Sequence, residues 1–193
     1  MFTRRKMISY IFSVLIIVSI LGIAAGCTNE QKGAQTGSPA QTEQTQDKTA
    51  PPAAEPKEIQ INVYYPRSDG TGLIAVRRTV KTDKEDKYTA VLKSLLMGTK
   101  EQGQTNVFPK KAKLRSVTVK DGVATVDFSK ELQMNFSGGS TGEEMLIGSI
   151  VNTLTDFPEV QKVTILIDGA AVETLSGHMD LSEPLTRMTE LLK

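Results

Sequence analysis

The chain has 193 residues, 39% of them apolar and 23% charged, a composition that suits one ordinary globular core with room for tails. Its formal charge is +1, and from Ile59 onward 17 Lys and Arg stand against 17 Asp and Glu, which lacks the electrostatic footprint of a nucleic-acid binder. A single cysteine, Cys27, rules out an internal disulfide or a CxxC motif, and with one histidine, His178, there is no metal-ligand set, so no metal and no cofactor is expected.

Met1–Lys6 is short and basic through Arg4, Arg5 and Lys6; Met7–Ile23 is an apolar run of 17 residues, and it ends in Ala24-Ala25-Gly26-Cys27. That order reads as a secretory signal. As a helix the run would reach roughly 26 Å, short of the ~30 Å hydrocarbon core, and no basic stop-transfer cluster follows it. The small residues before the cysteine resemble the bacterial lipobox, with Ala24 where leucine is preferred. That resemblance implies cleavage before Cys27 and a diacylglyceryl group on its thiol. Two acyl chains give stable anchoring where one gives only marginal binding, at roughly 0.8 kcal/mol per buried CH₂. Residues 1–26 are then a lipoprotein-type signal peptide. The basic start of the signal stays on the cytoplasmic side, which puts the folded part on the extracytoplasmic face of the cell membrane.

From Thr28 to Glu58 there is no Ile, Leu, Val, Met, Phe, Tyr or Trp, and Gln, Thr, Ala and Pro recur. Burial cannot offset the ordering entropy of such a segment. Residues 27–58 are therefore expected to be the acylated cysteine and a disordered linker of about 30 Å root-mean-square span. Residues 59–193 are expected to form one domain.

In "IQINVYY", Ile59, Ile61, Val63 and Tyr65 alternate as in a half-buried strand, and "LIAVRRTV" reads as a second strand. Asp83 or Asp86 can cap a helix whose Tyr88, Val91, Leu92, Leu95 and Leu96 share one face, with Gly98 as its stop. "SVTVKDGVATVDFS" predicts a hairpin about a two-residue type I′ turn at Asp121-Gly122, Val119 opposite Ala124 and Val117 opposite Val126, with a bulge near Ser116. Thr141 and Glu144 have capping-box spacing for a second helix that runs to a stop at Pro158. "KVTILIDG" predicts a fifth strand, and Ser182 with Pro184 predicts a short C-terminal helix. The order ββαββαβ points to an α+β domain with two helices packed on one face of a mixed or antiparallel sheet.

No arrangement of catalytic residues stands out. His178 sits in "SGHMDLSEP" without a Gly-x-Ser-x-Gly elbow and reads as a loop residue with local hydrogen bonds. "FSGGSTGEE" lacks the ending of a P-loop, and Glu143 and Glu144 in a first helical turn would repel a second anion, so it reads as a flexible helix entry. Two basic stretches, Arg77-Arg78 with Lys81 and Lys110-Lys111 with Lys113 and Arg115, are candidate binding surfaces for anionic headgroups or wall polymers. Asp127, Glu131 and Asp168 are the carboxylates that would have to converge for glycoside hydrolysis, although a chain with no Trp and 5% aromatic residues is poorly supplied with sugar-stacking platforms.

The segments "INVYYP", "LIAVRRTV", "AVLKSLLMG", "DGVATVDFSKEL", "VNTLTDFPEVQKVTILIDG" and "LSGHMDLSEPLTR" together resemble the GerMN-domain family of sporulation and germination proteins and bacterial surface lipoproteins. The chain departs from the family at Gly98-Thr99, where Gly-Pro is common. The resemblance implies helices on one face of a three-stranded sheet extended by an extra hairpin. It also implies a non-enzymatic role in envelope assembly. The leading expectation is a membrane-anchored protein-interaction module with an envelope protein partner. A binding module for an anionic wall polymer or small solute is the alternative, and a hydrolase is the third reading.

Overall fold

The computed structural model describes residues 57–192; the signal segment 1–26, Cys27 and the linker as far as residue 56 lie outside the described residues. β1 (Glu58–Pro66) begins one residue before the expected Ile59 and pairs antiparallel with β2 (Leu73–Lys81). Across the hairpin Ile61 faces Arg78, Val63 faces Val76 and Tyr65 faces Ile74. Ile61, Val63 and Tyr65 are buried, as their alternation predicts, and together they give the hairpin a core-directed face.

The helix α1 (Lys87–Leu96) starts at Asp86, whose carboxylate accepts from Tyr88 N and Thr89 N, both at 3.0 Å, satisfying two of the first-turn donors that have no helical partner. Its Val91, Leu92 and Leu95 are fully buried. Gly98 ends it at φ +77°, the left-handed conformation that a helix stop commonly uses.

The main sheet is built on β3 (Leu114–Lys120), β4 (Val123–Phe128) and β5 (Lys162–Ile167). β3 and β4 form the expected hairpin: Asp121 and Gly122 both have positive φ, Val117 faces Val126, Val119 faces Ala124, and the register slips between Leu114 and Ser116. β5 runs parallel to β4, with Val126 opposite Ile165. A parallel neighbour needs a long crossover, and α2 (Glu131–Met134) and α3 (Gly139–Leu154) lie within it. Two short strands, β6 (Ala170–Ala171) and β7 (Leu185–Thr186), also pair with β5. The sheet order is β3-β4-β5-β6, and β1-β2 is a separate two-stranded sheet. Val126, Phe128, Val163, Ile165 and Ile167 from the sheet, the apolar faces of α1 and α3, and the inner face of the hairpin join in one core. The α+β class is as expected, but the main sheet has five strands where the family resemblance implied three, because β6 and β7 add to β5, and the short helix α2 is additional to the expected order.

Three local expectations change; the first is that α3 ends at Leu154, short of the expected stop at Pro158. Helix α3 begins at Gly139, so Thr141 is its third residue, and no side chain caps it. The capping box is absent because Thr141 already lies inside the first turn. The short C-terminal helix is reduced to one 3-10 turn at Thr189–Leu191. Ser182 donates its N–H to Asp180 Oδ1 at 2.9 Å in a local turn instead of opening a helix. Leu185 and Thr186 are extended against Val163 and Lys162. Buried Asn152 then holds the chain by both groups of Met188, donating to its carbonyl at 2.9 Å and accepting from its N–H at 2.8 Å. This tail lies close on α3: a Cβ added at Gly148 would sit 2.5 Å from Leu191 Cδ1. Sheet pairing and the Asn152 clasp thus outweigh the local helix signal.

Candidate interaction surface

The period of two in β2 separates the first basic stretch. Arg78 points toward α1, donating to the Gly98 carbonyl at 3.0 Å with its guanidinium 5.2 Å above the Tyr65 ring. Tyr65 also donates to this helix end, at 3.0 Å to Ser94 O and 3.1 Å to Gly98 O. Burial pushes the Tyr65 phenol above its ordinary range, against the pull of Arg78. Arg77 points to the other face, with its Nε 3.1 Å from Gln60 Oε1. Lys81 is exposed and lies 4.0 Å from Glu58.

The second stretch precedes β3. Lys113 N donates to Ser129 Oγ at 3.1 Å and Ser129 N donates to Lys113 O at 2.9 Å, which ties this loop to the end of β4. Lys110, Lys111 and Lys113 are exposed and form no ion pair among the described residues. Arg115 is set apart from them. Its Nε lies 3.1 Å from Asp127 Oδ2, and its terminal nitrogen lies 2.5 Å from Asp168 Oδ1.

Between the two stretches lies the C-terminal end of α1. Met97 is 78% exposed, far more than an apolar side chain in a core-facing helix. Lys93 lies four residues before it, one helical turn earlier on the same side. A groove of about 510 Å³ on one flank is lined by Lys93, Leu96, Met97, Lys113 and Leu114. On the other flank, a groove of about 410 Å³ runs between α1 and β2, sharing Lys93 and Met97 and adding Arg78 and Lys81. The fold therefore draws Arg78, Lys81 and Lys113 around one exposed apolar ridge, whereas Arg77, Lys110, Lys111 and Arg115 are not among the groove-lining residues. Glu85 is the acidic residue in these linings, and it is paired with Lys93. Met97 stands outside the apolar face Tyr88-Val91-Leu92-Leu95-Leu96, and that mismatch of phase is the signal by which sequence could have singled it out.

Asp127 and Asp168 do come together, but with Arg115 between them. Asp127 also accepts from Gly169 N at 2.8 Å, closing the turn after β5. A glycosidase acid needs its carboxyl group raised. Glu131 moves the opposite way, because a hydrogen bond from the Ser129 hydroxyl holds its carboxyl below the usual range.

Glu143, read from sequence as a first-turn acid, is instead fully buried at the fifth position of α3. It accepts from Leu175 N and Ser176 N at 2.9 Å each, from His178 N at 3.0 Å and from the Ser176 hydroxyl at 2.6 Å. Burial works to raise this carboxyl; the four hydrogen bonds outweigh it and hold the group below its ordinary value. His178 is exposed in the loop that Glu143 fastens. Its imidazole borders a shallow pocket of about 430 Å³ with Ser140, Thr141, Glu144, Met179 and Asp180.

The family model described as Germane, sporulation and spore germination, matches residues 62–173, more than half of the chain. The chain belongs to the Germane family. Its Germane segment begins inside β1 and ends beyond β6, so the loop fastened by Glu143, strand β7 and the tail lie past its last matched residue. Over 139 residues the chain is 27% identical to the spore germination protein GerM of Bacillus subtilis strain 168, an alignment that takes in 68% of this chain and 37% of that protein. The chain thus spans little more than a third of the length of that relative. The tandem GerMN domains of the sporulation protein GerM from Bacillus subtilis superpose with a TM-score of 0.55 at 25% identity, over 74% of this chain and 49% of theirs. The first GerMN domain alone gives 0.51 at 23% identity, over 67% of this chain and 98% of its own length, and shows the shared fold. The Germane domain described here has a GerMN-type fold, and its C-terminal clasp lies past the matched residues.

Proposed function

We propose that this chain is a membrane-anchored, extracytoplasmic and non-catalytic interaction module that serves an envelope assembly of sporulation or germination. The observation that carries the reading is the exposed Met97 ridge, set between two grooves and ringed by Lys93, Lys113, Arg78 and Lys81. An apolar centre with a charged rim is the anatomy of a protein-contact surface. Membership of a sporulation and spore germination family supports the process, and the Cys27 motif with the apolar-free segment after it supports the address. In this reading a diacylglyceryl group on Cys27 holds the chain at the outer face of the cell membrane, and residues 28–58 let the domain reach a protein partner.

Two measurements test it. Intact mass spectrometry of the chain purified from its membrane is expected to find a mature protein beginning at diacylated Cys27; retention of residues 1–26 would contradict the anchor. Crosslinking in intact cells is expected to recover one defined envelope protein, and recovery of none through growth and sporulation would overturn the function.

A second reading, binding of an anionic wall polymer, rests on Lys110, Lys111 and Lys113, whose ammonium groups have no carboxylate partner among the described residues. Retention on purified wall material that disappears when these three lysines are changed to glutamate would support it. Retention that survives the change would exclude this surface.

A further inference from the structure

The β1–β2 hairpin has one closed edge and one open edge. On the closed side Asn62 N donates to Asp156 Oδ2 at 3.2 Å and Tyr64 N donates to Thr153 Oγ1 at 3.1 Å, so both N–H groups point away from β2. In an antiparallel pair, residues directly opposite either exchange their hydrogen bonds or both point outward. The residues opposite Asn62 and Tyr64 are Arg77 and Ala75. Ala75 and Arg77 therefore aim their N–H and C=O groups away from β1, and Thr79 joins them by the period of two. Their three N–H groups meet no hydrogen-bond acceptor among the described residues.

Such an edge is a template for another strand. Here it borders the groove of about 410 Å³ between β2 and α1, whose lining includes both inward Arg78 and Val80 and outward Thr79 and Lys81. The groove thus runs along the edge itself, with Ala90, Ser94 and Met97 of the α1 segment across from it.

The charges select the occupant. Arg77, Arg78 and Lys81 lie on β2 and Lys93 faces them from α1, while Glu85 is already paired with Lys93. A symmetric dimer through this edge would pair β2 with the β2 of a second copy. An antiparallel register centred on Arg77 sets Arg77 against Arg77, and one centred on Thr79 sets Arg77 against Lys81, and like charges directly opposite destabilise a pair. An extended segment with carboxylates at alternate positions meets the opposite situation. We propose that the open edge of β2 accepts an extended acidic segment of a partner protein as an added strand, with alternate side chains entering the groove beside α1. This rests on reading the domain as a protein-interaction module, and it adds the chemistry and geometry of the partner.

The test uses the full chain in detergent micelles and, as probe, an acetylated and amidated heptapeptide of alternating glutamate and valine, with the lysine–valine counterpart as control. The acidic peptide is expected to bind about tenfold more tightly or better at physiological ionic strength. It should also slow amide exchange at Ala75, Arg77 and Thr79 by about tenfold or more, leaving Asn62 and Tyr64 unchanged. Thr79→Pro removes one outward N–H without touching the β1 ladder and is expected to weaken binding about tenfold; Arg77→Glu, which leaves the backbone intact, should do the same. Equal binding of the two peptides, no binding at millimolar peptide, or protection away from β2 would overturn the inference. A partner crosslinked in cells through Met97, with no peptide bound on β2, sinks this inference and spares the function. Peptide binding on β2 with no partner recovered from cells does the reverse.

Discussion

Replacing Glu143 by glutamine keeps the side chain's size and removes its charge, which makes the cost of the buried clasp measurable. The carboxylate accepts four hydrogen bonds, three from backbone N–H groups and one from the Ser176 hydroxyl. With the amide oxygen in place of Oε1, Leu175 and Ser176 keep an acceptor. The amide nitrogen then faces the Ser176 hydroxyl, which can turn to accept, and the His178 N–H, which cannot. One buried donor without an acceptor costs about 1–3 kcal/mol, and the bonds that remain lose their charge assistance, about 1 kcal/mol more. The expected loss is about 2–4 kcal/mol, against a total stability of about 5–15 kcal/mol for a domain of this kind. Urea denaturation measures the loss, and amide exchange should show faster opening at Leu175, Ser176 and His178 while the β3–β4 hairpin stays protected. The pH dependence supplies an independent check. Because the folded carboxyl is held below its ordinary value, its contribution is complete above the ordinary carboxylate range and fades as acid protonates the folded state. The glutamine variant should therefore lose less stability than the natural chain over that acid range. A loss below about 0.5 kcal/mol, with exchange at His178 unchanged, would refute the clasp.

Three other predictions follow from local geometry. Asp86→Ala removes the acceptor of Tyr88 N and Thr89 N and should cost about 1 kcal/mol by thermal denaturation, with fraying confined to the start of α1. Asn152→Ala leaves both backbone groups of Met188 without their partner, and a loss of about 2–4 kcal/mol with faster exchange at Met188 is expected from chemical denaturation. Glu159 is held down to about 2 by the Lys87 ammonium and the Tyr88 hydroxyl. Its contribution should be present above an unfolded value of 4.5 and lost as pH falls toward about 2. It is a partly exposed pair, so the contribution stays below about 1 kcal/mol, and acid titration of Glu159→Gln should lack that small component.

The parts of the fold legible in the sequence are those written in neighbouring residues. Asp121-Gly122 supplies two positions that tolerate positive φ, and the valines on either side fix the register that the hairpin shows. Asp86 and Gly98 bracket α1 in the same local way. What periodicity could not show depends on distant partners. The parallel pairing of β4 with β5 joins residues nearly 40 positions apart in the chain, such as Val126 and Ile165. Glu143 has the sequence position of a first-turn acid, yet its acceptor role is decided by a loop that returns more than 30 residues later. The tail carries helix signals at Ser182 and Pro184 that lose to β5 and Asn152. The candidate surface was half legible: its cations were visible as runs and Met97 stood out of phase with its helix, whereas the gathering of Arg78, Lys81 and Lys113 around Met97 required the fold.

The central claim is that the Met97 face is where a partner binds. A photocrosslinking amino acid placed at Met97, and in a separate strain at Met134, tests it with two apolar positions of similar exposure, 78% and 71%, on different elements of the domain. In intact sporulating cells the chain labelled at position 97 is expected to yield a discrete crosslinked protein that the chain labelled at position 134 does not. A discrete product from position 134 and none from position 97 would contradict the account.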